Sequence, residues 1–373
     1  MFEYITLLNQ RSSGFEIGNI STTIRALKTE GTPSAARLIR PSAHLVLLDS
    51  HLNAEAGTEP AIDAAVGSVF AARVQTSGFP YSIRIGGSAS RQETIHLYAT
   101  GGLQTTRPGD AFFLPPIEEL PLFYFNPDSA GWAAPTAPSG EALEAAFQSG
   151  ADSIYLPSAE SLSASVEVPA TVRAIHGLMQ ENRIRFIVKE DSDQPLFVYD
   201  IEQGRIENRS NRTIVTNNTQ WTRFEGAGKW FLNNVGQGGI EDLRNADVHV
   251  RWANQEGKRN LIIQNSRWIQ MGHKTEHQDN GVIQISGAES QVAIFGSTVG
   301  VSVDGPVLLV DDGATVTYVG SNSADYRGSD AIIDQGHSAL NRDIFHERRE
   351  GGRYIFSYST GTLNPETPGK DKL

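Results

Sequence analysis

The chain has 373 residues, with 43 acidic and 31 basic side chains and a formal charge of -12. That balance excludes the basic footprint needed to hold nucleic acid or an anionic membrane. It has no cysteine, which excludes disulfides and thiolate metal sites, and no apolar run approaches a membrane span.

Short strand-like runs recur at a spacing of roughly 20 to 25 residues. They begin with Tyr4-Ile5-Thr6-Leu7, Thr23 to Leu27, Leu45 to Leu48, Val69 to Ala72 and Ile95 to Tyr98. The series resumes with Leu261 to Ile263, Val282 to Ile285 and Val307 to Val310. A second series lies out of phase with it: Trp268-Ile269, Val292 to Phe295 and Thr315 to Tyr318. Two or three short strands per repeat of this length describe one turn of a parallel β-solenoid, in which stacked neighbours bury an apolar column that no single turn could bury alone. The predicted fold is all-β, a right-handed single-stranded parallel β-helix in two segments packed side by side.

The first segment spans 1–106. Tyr4 to Leu7 reads as the middle of a solenoid with no amphipathic helix ahead of it, and open ends are ordinarily capped. The expectation is that an upstream segment or a second chain completes it. Met1-Phe2-Glu3 leads into a strand and not into a signal core, so a secreted or cell-surface protein would be seen here in mature or trimmed form.

Residues 107–139 carry Pro108, Pro115, Pro116, Pro121, Pro127, Pro135 and Pro138 among Phe112, Phe113, Phe123, Tyr124, Phe125 and Trp132. Proline at that density ends ladder pairing, while the aromatics require packing on something, so this is read as an extended linker on a surface. Ser139 then caps a helix with apolar Leu143, Ala146 and Phe147, ended by Gly150. This helix, near 140–150, blocks the open end of a second β-helix over 140–330. Residues 331–373 hold the strand Tyr354-Ile355-Phe356 and a polar tail whose end is expected to be disordered. Asn-x-Ser/Thr triplets begin at Asn19, Asn208, Asn211 and Asn217 and matter only in a glycosylating host.

The richest constellation for chemistry is Arg251, Trp252, Glu256, Trp268, His273, Lys274, Glu276, His277 and Asp279. Glu256 and Glu276 are one repeat apart, which sets them on adjacent rungs about 5 Å apart. Two carboxylates that close do not both ionise comfortably, so one keeps its proton near neutral pH, as a general acid must; Glu276 is the candidate acid. Trp252 and Trp268 are candidates for stacking on sugar faces, and Arg251, Lys274 and His273 for holding hydroxyls or a carboxylate. Against this stands a plain reading. Arg-Glu and Lys-Glu pairs also satisfy charges along a solenoid wall, and Trp268 beside Ile269 also suits a core.

Asn233 and Asn234 fit an internal asparagine ladder. His273 and His277 have no third ligand, so no metal is expected, and no cofactor motif is present. Asp311-Asp312 beside Gly313 reads as a turn in preference to a calcium pair.

The stretch "GEALEAAFQSGADSIYLPSAESLSASVEVPATVRAIHG" (Gly140 to Gly177) resembles the start of the second β-helix in pectate-lyase-superfamily proteins. These include the two-helix family 55 glycoside hydrolases, which act on β-1,3-glucans. The likeness continues through "GKWFLNN" (Gly228 to Asn234), "DVHVRWANQEG" (Asp247 to Gly257) and "WIQMGHKTE" (Trp268 to Glu276). It implies an extracellular glycoside hydrolase with a polysaccharide partner and an acidic proton donor in the second helix, a role carried here onto Glu276. That family's water-positioning residues have no match in this chain. Two other classes stay open: a non-catalytic solenoid that binds glycans or subunits, and a polysaccharide lyase in which Lys274 and Arg251 neutralise a uronate.

Overall fold

The computed structural model describes residues 1–18, 21–41, 43–55, 57–100, 104–105, 114–124, 131–156, 162–179, 183–236, 242–256, 261–276, 283–299, 308–310, 313–323, 332–334, 337–341, 345–350 and 353–358. They form a parallel β-solenoid of about 12 turns. The predicted polar end, Asp311-Asp312, Asn19, His277 and Asp279 lie outside the described residues.

In the first solenoid, the strands Ser21–Arg25, His44–Asn53 and Ser68–Ser77 stack in parallel, with Ile24 on Leu47 and Leu47 on Ala71. A second wall stacks Phe15–Ile17, Ala36–Leu38, Ile62–Ala64 and Ile83–Ile85. The run at Ile95 departs from expectation, because Thr94–Ala99 pairs antiparallel to Ser68–Ser77. The cause is a reversal just upstream: Ile83–Ile85 turns through Gly86, at φ +53, into the antiparallel Ser88–Ser90. A glycine adopts that left-handed conformation without Cβ strain. The repeat length survives, but the last strand of the series runs backwards and finishes the stack.

The helix Gly140–Phe147 opens the second solenoid. Ser139 Oγ accepts from the Ala142 N–H at 3.2 Å, which satisfies one of the free donors of the first turn. Leu143, Ala146 and Phe147 are buried, and Phe147 meets Phe186 at 6.2 Å, so the helix seals the end of the apolar column. Inside, Trp230, Val248, Trp268, Val292 and Val316 follow one another up successive rungs. At the far end, Phe345–Glu350 and Arg353–Tyr358 form an antiparallel hairpin.

Two outward columns of the second solenoid record what covers them. One runs Phe197, Val215, Phe231, His249, Ile269, Ala293; the other runs Tyr199, Asn217, Asn233, Arg251, Met271, Phe295. On the early rungs, Phe197, Val215 and Phe231 are covered by Leu120 and Phe123 of the extended segment 114–124, with Phe123 stacked on Phe197 at 5.2 Å. On the later rungs, Ile269, Met271, Ala293 and Phe295 pack against Val46, Leu48, Phe70 and Ala72 of the first solenoid. The two solenoids therefore lie side by side along an apolar seam, with Phe70 and Phe295 6.1 Å apart across it.

Candidate functional site

Six successive rungs turn a corner at a left-handed residue, and these corners stack: Asp200, Asn218, Asn234, Trp252, Gly272, Gly296. Where the corner faces water it is Asp or Asn on three rungs and Trp252 on a fourth. The Asp and Asn side chains tolerate the conformation and bond along the stack, Asn234 Nδ2 to Asn218 Oδ1 at 3.1 Å and Asn218 Nδ2 to Asp200 Oδ1 at 2.6 Å. Asn233 Nδ2 likewise donates to Asn217 Oδ1 at 2.8 Å. The asparagine ladder exists, but it lies on the outside of the solenoid and not within it. Where the first solenoid closes in, the corner is glycine: a Cβ on Gly296 would stand 2.4 Å from Thr23 Oγ1.

Trp252 is the one aromatic in this column. Its φ is 61° and it is 36% exposed, with its Cδ1 3.0 Å from where a Cβ on Gly272 would be. The indole thus lies across the glycine of the next rung, which leaves it no room for a side chain. Beyond the corner the ladder pairs Ala253 with His273, Asn254 with Lys274 and Glu256 with Glu276. The two carboxylate residues hold equivalent positions on neighbouring rungs, as the repeat requires; their side chains lie outside the described residues.

Other members of the constellation are placed differently from expectation. Trp268 is 0% exposed within the core. Its indole N–H donates to Gln270 Oε1 at 2.9 Å, and Gln270 Nε2 lies 2.8 Å from His273 Nδ1. His273 is 3% exposed, and burial pushes its pKa down to about 4. Neither residue can present a face to a glycan from there: they form a polar thread inside the apolar column.

Arg251 is 2% exposed. It pairs with Glu3 of the first solenoid at 3.1 Å and donates to the Glu118 carbonyl at 2.6 Å. Burial lowers its pKa, with Glu3 opposing. Its expected hold on a ligand is replaced by a hold on the seam, because it stands at the rung where linker cover gives way to the first solenoid. Lys274 is half-buried, on the rung above Asn254.

Sequence reasoning missed a second cluster, because its members come from distant segments. Glu118 of the linker pairs with Lys229, His249 and Arg267, and Asp247 joins the cluster through His249 and Arg267. Arg267 Nη1 binds Asp247 Oδ1 at 2.8 Å, His249 Nε2 lies 3.2 Å from the same oxygen, and the imidazole stacks on Phe231 at 4.8 Å. Burial alone would raise the Glu118 and Asp247 carboxyls. Lys229 and His249 outweigh it for Glu118, and His249 and Arg267 for Asp247, so both pKa values are lowered. Glu118, Asp247 and His249 offer three ligand atoms within 4.8 Å of one another, but Lys229 and Arg267 already neutralise the carboxylates. The cluster is an ion-pair clasp that holds the linker down.

Among the glycosylation triplets, Asn208 is buried and its amide donates to the Arg212 carbonyl at 2.8 Å. It is closed to modification in the folded chain, whereas Asn211 is exposed. No protein-family model matches the chain, and no curated protein matches it.

Proposed function

We propose that this protein is an extracellular carbohydrate-active solenoid, secreted or held at the cell surface. In this reading it is related in kind to the pectate-lyase-superfamily and family 55 enzymes its sequence resembles, and it hydrolyses a neutral polysaccharide such as a β-glucan. One observation carries the reading: Glu256 and Glu276 share a position on adjacent rungs, on the strands that also bear the exposed Trp252. Two charged carboxyls held close together repel, and a general acid has to keep its proton. In this reading Glu276 gives a proton to the glycosidic oxygen, Glu256 stands on the neighbouring rung, and Trp252 receives the flat face of a sugar. An inverting reaction needs acid and base about 6.5–9.5 Å apart to admit water, more than one rung spacing, so the base comes from the facing first solenoid.

The test is turnover of a soluble β-1,3-glucan by Glu276→Gln, with the fold checked by circular dichroism. A loss of at least a hundredfold is expected. Unchanged turnover removes Glu276 from the role.

The burial of Arg251, Trp268 and His273 favours a second reading, a solenoid that binds glycan without cutting it. Retention on a glycan array with no released sugar would select it. A lyase is less well served, since Arg251 is occupied by Glu3 and the Glu118 carbonyl.

A further inference from the structure

The first solenoid carries a groove that takes no part in the site above. It has a volume of about 540 Å³ and is lined by His51, Asn53, Gln75, Ser77, Arg91 and Gln92, among others. Its wall is the half of the His44–Asn53 and Ser68–Ser77 strands that lies beyond the corner at Asp49 and Arg73. Past that corner, Leu52 and Val74 turn into the core while His51, Asn53, Gln75 and Ser77 face outward. Arg91 to Thr94, which lead into the reversed strand Thr94–Ala99, supply another part of the rim, with the Glu93 carbonyl accepting from the Thr76 N–H at 2.8 Å.

The lining selects a class of ligand. Arg91 and Glu93 are of opposite sign, so the groove has no excess charge to draw a polyanion. Phe79 and Leu52 are all but buried beneath the polar rim, which leaves too little apolar surface for a lipid. Along the groove floor a peptide strand finds no edge, because Ser68–Ser77 is paired on both sides, to His44–Asn53 and to Thr94–Ala99; the outer edge of Thr94–Ala99 stays unpaired among the described residues. What remains is a row of hydrogen-bonding groups whose charges balance. Ser77 Oγ donates to Asn53 Oδ1 at 3.1 Å, while the side chains of His51, Gln75, Arg91 and Gln92 make no hydrogen bond among the described residues.

The row is also long. A hollow of about 300 Å³, lined by Asn9, Gly31, Ala54, Gly57 and Thr58, lies next to it, and the Ala54 N–H bonded to the Ser77 carbonyl at 3.0 Å joins the two. Outward groups on successive rungs repeat at about 4.8 Å, close to the length of one sugar unit in an extended chain.

We propose that this flank binds a neutral oligosaccharide laid along the rungs, with the amides of Asn53 and Gln75 and the imidazole of His51 contacting its hydroxyls. The proposal does not depend on Glu276 being a proton donor, and it concerns a different face of the molecule. Titration calorimetry with laminarihexaose, cellohexaose and a hexagalacturonide tests the class: one of the two neutral chains is expected to bind and the uronide not. The double variant His51→Ala/Gln75→Ala, matched to the parent in melting temperature, is expected to weaken that binding at least tenfold. Hydrogen exchange on the unaltered chain locates it, with protection expected at 75–79 and 91–94. Heat from neither neutral hexasaccharide, equal affinity for the uronide, an unweakened double variant, or protection confined to 251–276 would each overturn the proposal.

Discussion

The two solenoids solve one packing problem with different side chains. The first fills its interior with small residues, Ala36, Ala43, Ala61, Ala64 and Ala71 among Ile24, Leu45, Leu47 and Val69. The second uses Trp230, Trp268, Phe186, Phe224 and Tyr318. Rungs stack at the same spacing in both, so the difference lies in how much volume each layer encloses and how much apolar surface a single residue removes from water. A wide layer built on one ring leaves a large void when that ring is lost.

The strongest way to break this comparison is Trp268→Ala. It is expected to cost about 3–5 kcal/mol through the cavity it opens, with Gln270 Oε1 losing its donor as well. Ala71→Gly, its counterpart in the first solenoid, should cost only about 1–2 kcal/mol. Urea titrations of both variants give the ratio, and equal costs would mean that the larger ring adds nothing to stability.

Next in size is a pH effect confined to the second solenoid. His273 has its pKa lowered by burial from 6.5 to about 4, so between those values the unfolded chain binds more protons than the folded one. Its contribution is whole above about pH 6.5, falls as pH drops, and is lost by about pH 4. The total is on the order of 3 kcal/mol. Denaturation midpoints for the parent and His273→Gln across pH 7 to 4 should diverge by that amount, and parallel curves would show that the imidazole gains access to water.

The smallest effect sharpens the contrast between corners facing water and corners facing the seam. Asn234→Ala places an ordinary side chain at φ 51° and removes the bond to Asn218, for an expected cost of about 1–2 kcal/mol. Asn234→Gly restores the backbone freedom and should recover part of it. If Ala and Gly melt alike at this site, the corner conformation is not what selects asparagine.

Much of this architecture is written in local pattern. Ser139, Leu143, Phe147 and Gly150 spell a capped helix, and the repeat from Trp268 to Val292 to Val316 predicts a stack that the register confirms. Proline-rich residues 107–139 signal a break in pairing, which holds for 114–124 but not for Trp132–Ala133, a strand that pairs in parallel with Ser153–Tyr155. The clasp on Glu118 was illegible for a simple reason: Lys229 and Arg267 lie 111 and 149 positions away from it, and no spacing rule connects them.

Repetition alone determined that residues one period apart meet, and that is why Glu256 and Glu276 pair in the ladder. Tertiary structure decided which way their neighbours turn and what covers them. Counting by twos from Trp268 would turn Lys274 inward, yet the left-handed corner at Gly272 resets the alternation and buries His273 instead. Arg251 looks like any outward wall residue until the first solenoid brings Glu3 against it. A strand carries its own period of two, but neither a corner that shifts that period nor a second body that closes over one face is encoded within the strand.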